Sequence, residues 1–214
     1  MKLEAALFDL DGVLVDTETQ YTDFWKKVGN VYFPDDPDFA VSIKGQALEK
    51  IFSSYFPDRQ DVREQLRADL SAFEARMSYA FIPGAEAFVG ALRREGVRTA
   101  VVTSSDRWKM AQLCKQHPGF AGLFDCLFTA EDTTRSKPAP DCYLNAMRFL
   151  GVAAEDCVVF EDSLNGLKAA RASGAAVVGL STTLPQETVA EYSDFIMSDF
   201  AEITPASLRE RLAE

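Results

Sequence analysis

Three aspartates, Asp9, Asp11 and Asp16, fall within the stretch FDLDGVLVD, directly after the apolar run AALF. Carboxylates beside a buried strand are costly unless something offsets their charge. Further groups with chemistry follow later apolar runs: Thr103-Ser104-Ser105, Arg135-Ser136-Lys137-Pro138 and Glu161-Asp162-Ser163. Clustered acids, hydroxyls and a lysine suit phosphoryl transfer. Carboxylate oxygens favour a hard cation such as Mg2+, which uses few protein ligands plus substrate oxygens. Lys137 can neutralise phosphate oxygens as a compact charge. The Thr103 hydroxyl and the amides after it can donate to the same group. Positioning and electrostatic stabilisation are most of what this reaction asks of a protein. One carboxylate could attack phosphorus. A second, two residues on, could protonate the leaving group and then deprotonate water.

Competing chemistries find little support. The chain has no GxxxxGK[ST] or GxGxxG loop and no GxSxG elbow. Its single histidine, His117 in QHPGF, reads as a loop or helix-end residue. The formal net charge is -11 and the basic residues are scattered, so nucleic acid is an unfavourable partner. No apolar window is long enough to span a membrane, and the N-terminus lacks a signal-peptide pattern. Cys114, Cys126, Cys142 and Cys157 form no CxxC pair and read as reduced thiols in a cytoplasmic protein.

The elements that must position these residues follow from periodicity. Strand-length apolar runs recur at 5–10, 99–104, 126–130, 157–162 and 175–180, with a weaker one at 194–197. Most are apolar on both faces, as in parallel strands covered by helices. Helical patterns at 84–96, 138–151 and 163–174 separate them, the last with Ser163 as N-cap. Strand and helix in alternation predict an α/β fold, a doubly wound parallel sheet. Ligands of such sheets bind outside the carboxyl ends of the strands, where the groups above fall. Residues 17 to about 80 break the rhythm and read as helices near 17–28, 41–55 and 59–79. That is far longer than a crossover needs, which predicts an inserted helical cap domain. The C-terminal PASLRERLAE reads as a short exposed helix.

The stretches DLDGVLVDTE, VVTSS, SKPAPDCY and EDSLNGLKAA resemble, in order, the four motifs of the haloacid dehalogenase superfamily. The resemblance spans residues 5 to about 180. The helical insertion after the first motif resembles the helical-cap class that includes β-phosphoglucomutase and sugar-phosphate phosphatases. It implies a core of residues 1–15 and 82–214 and a cap of residues 16–81. By matching position, Asp9 would be the nucleophile, and Asp11 the general acid/base whose backbone carbonyl meets Mg2+. Thr103 and the Ser104 amide would hold the phosphoryl group, and Lys137 would neutralise it and Asp9. Asp162 would bind Mg2+, with Glu161 binding or shaping the same site. Gly12 would permit the sharp turn after the strand, and Ser163 could orient Lys137. Asp16 belongs to the cap junction, as a turn residue, a cap-closing hydrogen bond or a substrate contact.

The superfamily's dehalogenation chemistry needs neither Mg2+ nor the acidic pair, so Asp11, Glu161 and Asp162 favour phosphate chemistry. In β-phosphoglucomutase the cap supplies an arginine and a histidine. Here Leu48 and Tyr21 stand near those positions. The expectation is therefore a phosphatase acting on a small phosphorylated metabolite such as a sugar phosphate, working as a monomer. The alternatives are a phosphosugar mutase and a catalytically silent phosphate-binding module. Glu18, Tyr21, Lys44 and Gln46 are the candidate cap contacts to substrate. Hinges are expected near Leu14–Asp16 and Ile82–Gly84, with closure excluding bulk water.

Overall fold

The computed structural model describes residues 2–213. Six parallel strands form one sheet in the order β3-β2-β1-β4-β5-β6. They are β1 (Ala5–Phe8), β2 (Arg98–Val102), β3 (Cys126–Phe128), β4 (Cys157–Glu161), β5 (Ala176–Leu180) and β6 (Phe195–Met197). The central strand β1 pairs with β2 on one side and β4 on the other, with Ala5 opposite Arg98 and Cys157. Alternate side chains divide between two faces. Phe8, Val101, Phe160 and Val178 pack into one apolar cluster. Leu7, Val102, Val159 and Val177 pack into another. Phe8 and Phe160 stack at 4.6 Å across the first face.

Helices cover both faces: α5 (Ala85–Arg94), α6 (Arg107–Gln116), α7 (Asp141–Leu150), α8 (Leu164–Ser173), α9 (Gln186–Ala190) and α10 (Pro205–Arg211), numbered after the four cap helices. Gly151 and Gly174 end α7 and α8 in the left-handed conformation, and the Ser163 hydroxyl caps α8 by accepting from the Gly166 amide. The helix α10 is less exposed than its sequence suggests. Leu208 is fully buried in the first cluster, because one face of the helix closes the sheet beside α5.

The insertion holds α1 (Glu18–Tyr32), α2 (Phe39–Ser42), α3 (Leu48–Tyr55) and α4 (Gln60–Glu74). Its Trp25, Phe39, Phe52 and Leu66 form an apolar cluster apart from the two flanking the sheet. The expected helix over 41–55 is broken at residues 43–47. Gly45 there takes φ 72°, where a side chain is strained, and any Cβ would overlap the Ser163 side chain. The helix expected over 59–79 stops at Glu74. The two crossing strands of chain pair with each other: Asp16 N–H donates to Ala80 O at 2.8 Å and Ile82 N–H to Leu14 O at 2.9 Å. The expected hinge segments are thus a two-stranded neck. Among the described residues no helix is long and apolar enough to cross a membrane.

Candidate active site

Residues at the carboxyl ends of β1, β2 and β4 converge as the sequence predicts. Asp9 follows β1, Thr103 follows β2, and Glu161 ends β4. Lys137, from the loop before α7, reaches all three strand ends. Its Nζ donates to Asp9 Oδ1 at 2.6 Å, to Glu161 Oε1 at 2.6 Å and to Val102 O at 3.2 Å. This cluster lies out of solvent, with Lys137 3% exposed and Glu161 fully buried.

Glu161 commits both oxygens. Oε1 accepts from Lys137 and from the Tyr143 hydroxyl at 2.9 Å. Oε2 accepts from the amides of Asp162 and Ser163 and from the Ser163 hydroxyl. Ser163 therefore acts on Lys137 through Glu161 rather than by direct contact. Gly166 makes room for this carboxylate, since any Cβ there would overlap it.

Carboxylate oxygens of Asp9, Glu161 and Asp162 lie within 4.8 Å of one another. Burial pushes Asp9 up to about 7, against the pull of Lys137. Asp162 lies well above its usual range, through burial and then the charges of Glu18, Glu161 and Asp9. Such an oxygen-rich, under-neutralised cluster fits a hard divalent cation. Of the three, Asp162 is tied to hydroxyls alone: those of Thr182 and Thr183 both donate to its Oδ2. Burial works against the charge of Lys137, but Asp9 and Glu161 outweigh it and hold its pKa well above the ordinary value.

Asp11 is held by a different cation. Lys109, in the first turn of α6 and 1% exposed, donates to both Asp11 oxygens. The Ser105 hydroxyl donates to Asp11 at 2.9 Å and the Thr17 hydroxyl also binds it. Lys109 Nζ sits 4.2 Å from the Tyr21 ring centroid, and the Tyr21 hydroxyl donates to Glu74 Oε1 at 2.8 Å. Lys109 went unnoticed in the sequence. Its only local cue is Asp106, the N-cap that fixes where α6 begins and so where Lys109 stands; Ser105, which Lys109 Nζ reaches at 3.1 Å, lies before the helix.

The insertion sits directly on this edge. Ser104 Oγ donates to Gly45 O at 3.2 Å, and Asn165 Nδ2 donates to Lys44 O at 3.1 Å. Asn165, in the first turn of α8, is thus a contact to the insertion. Asp16 is exposed and contributes to the junction through its backbone, while the hydrogen bond from this segment into the site comes from Thr17. A cavity of about 380 Å³ lies between cap and core. Asp9, Asp11, Thr103, Ser104 and Asp162 line its floor, and Glu18, Tyr21, Lys44 and Gln46 are all in its cap wall. Lys44 Nζ lies 3.0 Å from Glu18 Oε2. His117 is remote from this chamber, with Nε2 2.8 Å from Tyr79 O.

A family model described as haloacid dehalogenase-like hydrolase matches residues 3–174. The chain is 30% identical over 205 residues to validoxylamine A 7'-phosphate phosphatase of Streptomyces hygroscopicus subsp. limoneus, covering 94% of this chain and 95% of that protein. It is 30% identical over 240 residues to a beta-phosphoglucomutase of Mycobacterium tuberculosis, covering 94% and 92%. The crystal structure of CbbY from Rhodobacter sphaeroides in complex with phosphate superposes with a TM-score of 0.77 at 27% identity, over 97% of this chain and 99% of that one. This chain belongs to the haloacid dehalogenase-like hydrolases, and it is a hydrolytic enzyme of that fold.

Proposed function

We propose that the enzyme is a Mg2+-dependent phosphatase that hydrolyses a phosphate monoester of a small metabolite through an aspartyl-phosphate on Asp9. The observation that carries the reading is the Lys137–Asp9 contact at 2.6 Å, at a strand end that opens into the same chamber as Asp11. Similarity to a phosphatase of a phosphorylated metabolite supports a sugar phosphate as the first class to test.

In this reading an Asp9 oxygen attacks phosphorus while Thr103, the Ser104 amide and Lys137 hold the phosphoryl oxygens. The ester P–O bond breaks, and Asp11 gives the departing oxygen its proton. Water then attacks phosphorus, Asp11 takes its proton, and inorganic phosphate leaves with the Asp9 carboxylate restored. Mg2+, held by Asp9, Asp162 and the Asp11 carbonyl, would supply positive charge to Asp9 and the phosphoryl oxygens. Glu161 shapes that site by holding Lys137. Residues 16–81 act as the cap, moving on the neck at 14–16 and 82–84 against a core of 1–15 and 82–214. The enzyme works as a cytoplasmic monomer, a setting that suits its four free cysteines.

A mutase reading draws support from the similarity to beta-phosphoglucomutase. It would need a cation free for a second phosphate. Each cation in the chamber wall already has an acidic partner: Lys44 with Glu18, Lys109 with Asp11, and Arg67 with Glu49. That favours hydrolysis. Asp9→Asn should abolish Mg2+-dependent phosphate release while the fold persists, and near-normal turnover would sink the nucleophile assignment. A phosphate-release screen should include β-glucose 1-phosphate with a bisphosphate activator. Isomerisation without release would promote the mutase, and silence towards every ester would promote the binding module.

A further inference from the structure

The chamber has two kinds of wall. Its floor carries the carboxylates and hydroxyls described above. Its roof, supplied by the cap, is largely apolar: Trp25 from α1, Ile43 after α2, Leu48 and Ile51 from α3, and Leu70 from α4 all line it. Trp25, Ile43, Ile51 and Leu70 also belong to the cap's own buried cluster, so the chamber reaches into that cluster rather than lying on a polar surface.

Most polar groups in that roof have partners within the cap; the exception is Glu18 Oε2, which faces Lys44 but is buried without a hydrogen bond. Lys44 pairs with Glu18 and Arg67 with Glu49. The Tyr21 hydroxyl donates to Glu74 at 2.8 Å, the Thr22 hydroxyl to Glu18 O at 2.7 Å, and the Gln46 amide to Ser42 O at 2.9 Å. A ring bearing several hydroxyls would enter against Trp25, Leu48 and Leu70 and find few unengaged partners. Burying a hydroxyl without a hydrogen bond is unfavourable. An apolar ring loses nothing of the kind and gains contact with the roof. Space is sufficient, since an apolar cavity of about 150 Å³ takes up benzene.

We propose that the alcohol portion of the substrate presents an apolar ring or chain to the cap, and that the cap selects it against polyols. The inference rests on the phosphatase reading and narrows the sugar-phosphate class to members with a hydroxyl-poor face. Trp25, Ile43, Leu48, Ile51 and Leu70 determine specificity, and the floor takes the phosphoryl group whatever the alcohol.

The test compares three phosphates of primary alcohols, which share similar leaving groups: cyclohexylmethyl phosphate, benzyl phosphate and glucose 6-phosphate. The first two should exceed the third in kcat/KM by roughly tenfold or more, the scale on which an apolar pocket discriminates. Glucose 6-phosphate turned over as well as or better than both would overturn the proposal and leave the phosphatase reading intact. Leu48 is half-buried, so Leu48→Gln is the milder change, and it should move the ratio towards glucose 6-phosphate. If that variant does not fold, the wild-type ratio stands by itself. A binding arm decides the matter without turnover. In a Trp108→Phe background, benzyl alcohol should change Trp25 fluorescence saturably and glucose should not. Absence of a benzyl alcohol response, or an equal glucose response, would overturn the proposal. Binding of benzyl alcohol with no hydrolysis of any ester would keep the chamber assignment and sink the phosphatase.

Discussion

Two lysines are buried to nearly the same degree, Lys137 at 3% and Lys109 at 1% exposure, and each holds one of the two aspartates after β1. Their surroundings differ. The partners of Lys137 are Asp9, Glu161, the Val102 carbonyl and the Tyr143 ring face, all carried by the sheet edge and α7. Lys109 holds Asp11 from the core side but rests on Tyr21, whose hydroxyl is tied to Glu74 at the end of α4. The cation beside Asp9 is thus held by the core alone. The cation beside Asp11 is shared with the cap through Tyr21. The insertion thus reaches Asp11 twice, through Lys109 and directly through the Thr17 hydroxyl, while none of the Lys137 partners lies in it.

The largest effect should come from the sheet-edge lysine. Lys137→Met leaves Asp9 and Glu161 facing each other without their shared cation. Removing one partner of a buried ion pair costs about 3–5 kcal/mol. The urea midpoint should fall accordingly and phosphatase turnover should vanish. Glu161→Gln in the same background should recover part of the stability by removing one buried charge, but not the activity. If Lys137→Met unfolds at the wild-type midpoint, the pairing is not a determinant of the fold.

Lys109→Met should be milder for stability, about 2 kcal/mol, because Asp11 keeps the Thr17 and Ser105 hydroxyls and some access to water. Its signature should be catalytic and selective. With an alkyl phosphate, kcat/KM, which reports formation of the phosphoenzyme and not the hydrolysis step that all substrates share, should fall about 10²-fold, the lower end of what a positioned acid contributes. With p-nitrophenyl phosphate, whose leaving group needs no proton, the loss should be several-fold smaller. Equal losses on both substrates would mean that Lys109 does not act through Asp11.

This difference between the lysines also separates what the sequence discloses from what it hides. Lys137 stands in a loop between a strand and a well-marked helix, where a charged residue stands out. Asp9, Thr103, Glu161 and Asp162 likewise fall just past or at the ends of apolar runs, so topology alone brings them together. Lys109 lies in RWKMAQLCKQ, where polar Gln112 and Lys109 are buried beside Met110 and Leu113. The apolar stripe of this helix is short, Met110, Leu113 and Cys114, and the buried polar residues beside it blur the pattern. Tyr143 falls within the helical pattern at 138–151, but its hydroxyl contact with Glu161 depends on how α7 lies across the sheet. The break in the cap at residues 43–47 has a local cue in Lys44-Gly45. Its cause is not local: Gly45 is pressed against Ser163, more than a hundred residues away. Thr182 and Thr183 meet Asp162 and the Gly12 carbonyl only because the loop after β5 folds over the first motif.

The smallest effect tests whether the cap end of the Lys109 chain carries charge. Glu74 is 6% exposed, and burial pushes its carboxyl from 4.5 up to about 7, with the Lys109 charge opposing. Below pH 4.5 both folded and unfolded chains hold the proton. Between pH 4.5 and 7 the unfolded chain has released it and the folded chain keeps it, so stability falls as pH rises through that window and levels off above it. Glu74→Gln removes this dependence. The stability difference between wild type and variant should therefore drift in the variant's favour by on the order of 2 kcal/mol from pH 5 to pH 8. Urea midpoints of the two proteins across that range measure it, and the titrations of Asp9 and Asp162 cancel in the difference. Because Glu74 faces Lys109 and not Lys137, the same substitution should alter the Lys109→Met stability loss and leave that of Lys137→Met unchanged. Parallel pH slopes in wild type and Glu74→Gln would detach the cap from this chain and leave Lys109 answerable to Asp11 alone.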